Sequence, residues 1–305
     1  MKEATAGWLA VAIAAVWGGS FLLMQTVADE IAAAPYIFLR FGVAFVVLIG
    51  LFGRSLQSLR RKTILGSLGL GTVMFIYMLF QFFALETTSS SNTAFLSSSS
   101  FLMVPFLAAV FLKKKPTLGN TLGLLLTAMG LVWMTGGMGG GFTRGDFYAF
   151  ISAVMVAVHI VLVDKTLGDT NTAERFEQSL GIGILQVGVA AAWALIFWQV
   201  FTPHGLTFPL SATLLISVAG TGIFCSAFCF TAQLIVQQKL SPSRFVLLLM
   251  LEPLFALLYS MVFPIDGVVE MLNFDKIGGV FLVLAGMAVS ESDLDRIKVK
   301  RKRKR

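Results

Sequence analysis

Three ionisable side chains, Arg40, His159 and Glu252, lie inside long apolar stretches of the sequence. Glu252 comes about nine residues into its stretch, roughly 14 Å along a helix at 1.5 Å per residue. A carboxylate near the middle of a bilayer costs about 2.5–3.5 kcal/mol, so it should face the protein interior, pair with a cation or be protonated. A carboxyl group that exchanges a proton at this depth could serve as a coupling or gating group. The structural alternative is a partner for Arg40, or for backbone carbonyls freed beside Pro253.

Arg40 and His159 each allow two interpretations. A guanidinium can bind a substrate carboxylate through two parallel N–H groups. Arg40 could instead bridge two helices or anchor its helix at the membrane interface. His159 could change its charge near neutral pH, or it could be a neutral side chain that is hydrogen-bonded to a neighbouring helix.

Polar and aromatic side chains recur at helical spacing in three apolar stretches. Tyr77 and Gln81 are four residues apart, so they share one face of a helix. Trp17 lies on a similar face with Ser20, and His159 lies on another. These faces could simply be the core of a helix bundle. We expect Trp17, Tyr77, Gln81 and His159 to contact a solute in a shared cavity.

The stretch from Ser89 to Phe111 begins with hydroxyl and amide side chains and ends in an almost unbroken apolar run. Serine hydroxyls can bond to the carbonyl four residues earlier, which lets a helix hold them inside a membrane. Ser99 belongs to four consecutive serines that cover a full turn, so some of them must face protein or water. Pro105 removes a backbone donor. We predict a kinked membrane helix in which Ser99 contacts the solute; tight helix packing is the alternative.

The composition indicates a membrane protein. Of the 305 residues, 57% are hydrophobic and 13% are charged, and the mean hydropathy is +0.85. Soluble domains carry about 25% charged residues. Stretches of about 20 apolar residues can span a bilayer as helices. The sequence predicts an all-α integral membrane protein with ten transmembrane helices, at residues 7–28, 34–52, 63–85, 92–112, 118–135, 146–164, 176–201, 210–236, 243–262 and 277–290.

The distribution of basic residues predicts the orientation. Most of the 23 Lys and Arg residues fall on one side of the predicted bundle, and cytoplasmic segments are the ones rich in Lys and Arg. Both termini are therefore expected in the cytoplasm, in a multi-pass protein of the inner (cell) membrane. The basic tail, residues 292–305, is expected to fix this topology and contact anionic lipids, and no nucleic acid is expected to bind.

The sequence repeats itself weakly. Four residues of the first half recur in the second half at one constant offset: Phe80, Phe82, Ala84 and Pro105 match Phe228, Phe230, Ala232 and Pro253. We predict two five-helix repeats, residues 1–135 and 146–291, joined by a glycine-rich linker at 136–145. An odd number of crossings inverts the second copy, and inverted repeats are typical of secondary transporters that bind solutes near the midplane. Pro105 and Pro253 would then serve as equivalent hinge points in gating.

Several motifs resemble the EamA family of the drug/metabolite transporter superfamily. They are WGGSF at 17–21, APYIFLRF at 34–41 and LEPLFALL at 251–258. The resemblance implies transport of small metabolites, often export of amino acids or related compounds, through a central cavity by alternating access. Members often carry a Gly-Glu pair after the proline helix, where this chain has lysines at 113–115 and Phe263 with Pro264. No role of that glutamate transfers to this chain.

The sequence lacks the patterns of common enzymes. It contains neither GxxxxGK[ST] nor HExxH, and no cluster of metal-ligating residues. Cys225 and Cys229 fit packing residues better than a redox pair. We expect no enzyme activity and no cofactor; the expected partners are a small-molecule solute, membrane lipids and a coupling proton or other ion. The alternatives are a membrane scaffold or receptor, and a lipid-acting enzyme without a recognisable motif.

Overall fold

The computed structural model describes residues 1–88, 90–113, 118–134, 143–168, 174–201, 210–263 and 274–291. Helices and no strands make up the regular structure of these ranges. The first five helices are α1 (Glu3–Gln25), α2 (Ala33–Phe52), α3 (Arg61–Leu85), α4 (Ser90–Ser98) and α5 (Ser100–Phe111). The next five are α6 (Leu118–Met134), α7 (Arg144–Gly168), α8 (Arg175–Phe201), α9 (Ala212–Gly220) and α10 (Cys229–Gln237). The last three are α11 (Pro242–Leu249), α12 (Glu252–Val262) and α13 (Phe274–Glu291).

Within these ranges, seven helical stretches are long and apolar enough to cross a membrane. They are Glu3–Gln25, Ala33–Ser58, Arg61–Leu85, Arg144–Gly168, Arg175–Phe201, Ala212–Gln237 and Pro242–Val262. Shorter apolar helices occupy Leu96–Phe111, Thr121–Gly130 and Ile277–Gly286. The all-helical membrane protein predicted from composition is confirmed at this level, and the count of ten crossings stays a prediction. The predicted linker at 136–145 lies mostly outside the described residues, and the basic tail lies wholly outside them.

The serine-rich span is not one helix, because it is interrupted between α4 and α5. The interruption is at Ser99, whose backbone N–H bonds to the carbonyl of Leu96, three residues earlier, at 3.0 Å. The sequence predicted a break at Pro105, but that residue lies inside α5. Serine hydroxyls compete with backbone donors for helix carbonyls, and Ser98 Oγ donates to the carbonyl of Ala94 at 2.8 Å. The serine run therefore marks the break more closely than the proline does.

A similar interruption separates α11 from α12. Here Met250 and Leu251 donate backbone N–H groups to carbonyls three residues earlier, at 3.2 and 3.3 Å. Pro253 lies in the first turn of α12, where a helix does not need the backbone N–H that proline lacks. The predicted helix that contains Pro253 is thus interrupted directly before that proline.

A π-helix at Thr221–Phe228 joins α9 to α10 in one continuous stretch. The sequence predicted a single regular helix there. In a π-helix the N–H bonds to the carbonyl five residues earlier, and such segments occur frequently at functional sites. Side chains from α1 and α2 bond to this segment: Trp17, Tyr36 and Arg40.

Close backbone contacts bring α1 against the start of α12. A Cβ atom added at Gly18 would lie 2.7 Å from the carbonyl oxygen of Glu252 and 2.9 Å from the backbone nitrogen of Ala256. Only glycine fits at this distance. The contact fixes the beginning of α12, and with it Glu252, beside the α1 segment that carries Trp17.

Two exposed ion pairs lie at the end of the bundle that holds the N-terminus. Arg244 pairs with Glu3, which links α11 to α1. The guanidinium of Arg60 lies 3.7 Å from the carboxylate of Glu174. Solvent-exposed pairs of this kind contribute about 0–1 kcal/mol each, so packing rather than charge pairing holds the bundle together.

We expect Gly18→Ala to destabilise the fold, because its methyl group would overlap the backbone of α12. Overpacking of this kind costs roughly 1–3 kcal/mol. The measurement is thermal unfolding of the purified protein in detergent. Gly42→Ala is the matched control, since a Cβ there meets nothing within 4 Å. Equal unfolding temperatures for the two variants would contradict the close α1–α12 contact.

Candidate functional site

A cavity lies inside the bundle, between helices that are far apart in the sequence. It contains about 670 Å³ of space free of protein atoms, counting the part that is open to solvent. Side chains of α1, α2, α3, α7, α10, α11 and α12 line it, together with serines at the α4–α5 break. Six of the residues singled out by the sequence are among them: Trp17, Arg40, Tyr77, Gln81, His159 and Glu252.

Arg40 is fully buried, with 0% of its surface exposed. Its Nε donates a hydrogen bond to Ser226 Oγ at 2.8 Å, and Nη1 donates to the thioether sulfur of Met24 at 3.0 Å. Nη2 has no hydrogen-bond partner, and Arg40 forms no ion pair with any described carboxylate. This burial excludes the role of an interfacial anchor, and the neutral partners leave the positive charge unpaired.

The π-helix positions the guanidinium. Ser226, which accepts from Nε, lies in this segment. Gly222 allows α2 to come close, because a Cβ there would lie 3.0 Å from the carbonyl oxygen of Arg40 and 2.9 Å from the side chain of Val43. The wide helical turn therefore packs directly against the part of α2 that carries Arg40.

Trp17 is fixed by the same segment. Its indole Nε1 donates to the backbone carbonyl of Cys225 at 2.9 Å, and its ring lies 5.1 Å from the ring of Phe230, centroid to centroid. Because the N–H group is already bonded, Trp17 offers the cavity an aromatic face rather than a donor. Cys225 and Cys229 are buried free thiols, in keeping with a packing role.

Tyr77 and His159 meet in the cavity, as their placement on two polar helix faces predicted. Their rings lie 5.7 Å apart in an edge-on arrangement. His159 Nε2 lies 3.3 Å from Gln186 Oε1 on α8, and the Nε2 of Gln186 has no partner. His159 is therefore hydrogen-bonded to a neighbouring helix and is 2% exposed. Gln81 lies one turn after Tyr77 and also lines the cavity.

Glu252 lies at the first position of α12 and lines the cavity. No described cation forms an ion pair with its carboxyl group, so the structural bridge to Arg40 is absent. Its backbone is held against α1 at Gly18. The carboxyl group is thus placed by packing rather than by a charge partner.

Ser99 and the two prolines lie outside the lining. The neighbouring serines Ser97, Ser98 and Ser100 line the cavity instead, while the hydroxyl of Ser99 is buried without a partner. Pro105 and Pro253 belong to the helices that follow the two interruptions. They are close to the site in sequence, and neither forms part of its wall.

Sequence reasoning missed Gln233, Phe230 and Ser226. Gln233 lines the cavity, is 1% exposed, and its Oε1 has no partner, while its Nε2 donates to Gln237 at 2.9 Å. Gln233 lies four residues before Gln237, the same spacing of polar side chains that identified Gln81 beside Tyr77, so Gln233 was detectable. The sequence marks Phe230 only as a repeat match, and nothing in it marks Ser226 apart from many other serines.

The described residues of the lining supply one permanent cation, one carboxyl group, neutral amides and hydroxyls, and several aromatic faces. Such a lining can hold a small solute by hydrogen bonds and ring contacts. Across the described ranges, His, Cys, Asp and Glu form no group of three or more that could hold a metal ion. The chemistry of this lining is that of a binding site.

Comparisons with known proteins agree with one another. The sequence model of the EamA-like transporter family matches residues 5–136 and 143–291. A relative from Archaeoglobus fulgidus, described as an uncharacterized transporter, is 23% identical over 278 residues, which cover 91% of this chain and 82% of the relative. A known crystal structure matches with a TM-score of 0.73 at 17% identity, covering 94% of this chain and 97% of the other. That structural match shows the fold alone.

We expect Ser226→Ala to lower stability, because it removes the acceptor of a buried charged donor. Leaving such a donor unsatisfied costs roughly 1–3 kcal/mol. Thermal unfolding in detergent is the measurement. Ser67→Ala is the matched control: Ser67 is also buried, but its hydroxyl donates to the carbonyl of Thr63 in its own helix, so its loss leaves no donor unpaired. If both variants unfold like the wild type, the Arg40–Ser226 bond does not hold the guanidinium.

Proposed function

Since the chain belongs to the EamA-like transporter family, and is therefore a membrane transporter, we propose that it is a secondary transporter of small metabolites such as amino acids or related compounds. The observation that carries this proposal is the cavity. Six polar or aromatic side chains from five different helices meet around it. Lone polar residues inside membrane helices mark substrate pathways when they face a shared interior.

The proposed architecture is ten crossings in two inverted five-helix repeats, with both termini in the cytoplasm. The family model matches in two stretches, 5–136 and 143–291, which support the proposed division into residues 1–135 and 146–291. At both the α4–α5 and the α11–α12 interruption, backbone N–H groups bond to carbonyls three residues earlier. This shared feature supports the proposal that the two interrupted spans are equivalent in the two halves. The short apolar helices α6 and α13 pack against each other. This contact supports the proposal that they are the equivalent last helices of the two repeats.

The proposed mechanism is alternating access in the direction of export. Residues of both halves line the cavity, so rocking one half against the other would expose it to each side in turn. The two interrupted spans supply non-helical points next to the cavity where the helices can bend. Pro105 removes a backbone donor inside α5, and Pro253 lies in the first turn of α12. Trp17, Arg40, Tyr77, Gln81 and His159 are the proposed solute contacts, whereas Ser99, the further contact that the sequence suggested, lies outside the lining.

Glu252 is the proposed coupling group. Its carboxyl group lines the cavity without a cationic partner among the described residues, so protonation is the way its charge can be neutralised inside the bundle. A proton bound at Glu252 on one side of the membrane and released on the other would link solute movement to a proton gradient. Membrane lipids would surround the bundle, and the basic tail would contact anionic head groups.

We expect Tyr77→Ala and Glu252→Gln to reduce solute flux by about tenfold or more, which corresponds to roughly 1.4 kcal/mol. A metabolite screen of cells that overproduce the protein identifies the solute released faster, and reconstituted vesicles then give the flux. Flux through Glu252→Gln should also no longer respond to an imposed pH difference.

The matched controls for these variants remove the same side chains outside the cavity: Tyr148→Ala for the tyrosine, and Glu86→Gln for the carboxyl group. They should transport like the wild type, and all four proteins should be inserted and folded equally. Unchanged flux in Tyr77→Ala and Glu252→Gln would contradict the proposed site and favour a scaffold or receptor.

We expect residues 136–145 and the basic tail to lie on opposite sides of the membrane. Five proposed crossings separate the N-terminus from the linker, and five more separate the linker from the basic tail. Single cysteines placed in these two segments, in a variant without Cys225 and Cys229, can be labelled from outside intact cells with a membrane-impermeant thiol reagent. Labelling of both segments from the same side would rule out inverted five-helix repeats.

A further inference from the structure

Arg40 carries a permanent positive charge into the bundle interior without a compensating negative charge beside it. Its side chain is fully buried, and the groups that accept its hydrogen bonds, Ser226 Oγ and Met24 Sδ, are both neutral. No described carboxylate forms an ion pair with it. A buried charge is costly unless it is paired, so the site is electrostatically incomplete without an anion.

The hydrogen-bond pattern shows which edge of the guanidinium is available. Nε is occupied by the hydroxyl of Ser226, which engages the side of the group nearest the backbone. Nη2 has no partner. Nη1 carries two hydrogens, and its one contact is a thioether, which is a weak acceptor. One hydrogen of Nη1 and both hydrogens of Nη2 therefore remain without a partner. A carboxylate that bridges the two terminal nitrogens would bind in the bidentate arrangement.

We propose that the Nη1–Nη2 edge of Arg40 binds the carboxylate of the transported solute, and that the transporter therefore selects solutes that carry one carboxylate group. This inference rests on the proposed function of the cavity. Because Ser226 holds Nε, the guanidinium is already oriented before the solute arrives. The two terminal nitrogens then form a bidentate, charge-assisted pair that a neutral amide cannot reproduce.

The remaining lining determines the number of carboxylates. Among the described residues of the lining, Arg40 is the one with a permanent positive charge, and Glu252 is a carboxyl group of the same cavity. The unpartnered Oε1 of Gln233 is also an acceptor. A second carboxylate on the solute would meet acceptors or an ionised carboxyl group, and like charges in a low-dielectric site repel. Solutes with one carboxylate and an uncharged or donor-bearing remainder fit best.

The test uses the full-length protein, purified in detergent, with pairs of small solutes that differ in one group. The probes are L-phenylalanine with L-phenylalaninamide, phenylacetate with phenylacetamide, and lactate with lactamide; succinate represents two carboxylates. Ligand-induced shifts in unfolding temperature give apparent affinities. We expect at least one monocarboxylate to bind the wild type about tenfold or more tightly than its amide, and succinate to bind no better than the monocarboxylates.

Arg40→Gln should abolish the preference for the carboxylate, and Arg40→Lys should weaken it, because an ammonium group lacks the planar pair of donors. Arg60→Gln is the matched control, since it removes an exposed arginine far from the cavity lining. The comparison of carboxylate and amide on the wild type needs no variant, so it holds even if Arg40→Gln does not fold.

Equal binding of amides and carboxylates by the wild type, no binding of any carboxylate, or an intact preference in Arg40→Gln would overturn the inference. Flux in reconstituted vesicles separates it from the proposed function. If carboxylates bind at Arg40 but are not transported, the proposed transport fails and the role of Arg40 in binding stands. If amides are transported as fast as carboxylates, the role of Arg40 fails and the proposed transport stands.

Discussion

A positive charge that cannot reach water is the constraint around which the middle of this bundle is built. The guanidinium of Arg40 is fully buried and must find its hydrogen-bond partners among other helices. The π-helix supplies one of them through Ser226. The same segment accepts the indole N–H of Trp17 through the carbonyl of Cys225, so α1, α2 and the eighth predicted span are joined at one place. This junction forms one wall of the cavity.

Close packing fixes the position of this wall of the cavity relative to the opposite wall. Gly18 lets α1 touch the backbone of α12 at Glu252, and Gly222 lets the π-helix touch α2 beside Arg40. Small residues permit such close approach of membrane helices, where lipid offers no hydrophobic force to push helices together. Backbone contacts therefore help to place Arg40 and Glu252, while the Nη2 of Arg40 has no hydrogen-bond partner.

The interrupted helices carry several of the polar groups that line the cavity. At the α4–α5 break, three serines line the cavity, and their hydroxyls compete with the backbone for carbonyls. At the α11–α12 break, Glu252 begins a new helix. In each case the irregular backbone lies next to the cavity. Non-helical backbone at membrane depth is tolerated where it is buried in protein or lines a water-filled cavity. The two helix interruptions therefore shape both the fold and the candidate site.

The sequence by itself determined the class of the protein and six of the residues around the cavity. The scarcity of charged residues identified membrane helices, and the motifs around Trp17, Arg40 and Glu252 identified the family. Helical spacing placed Tyr77 beside Gln81, because that spacing is a local property that composition and periodicity reveal. Only the tertiary structure decided which partners these groups have. The partners of the π-helix, the free Nη2 of Arg40 and the unpartnered Oε1 of Gln233 depend on contacts between residues far apart in the chain, and no local pattern encodes the distances between separate helices. The break at Ser99 rather than Pro105 has a local cause in the serine run.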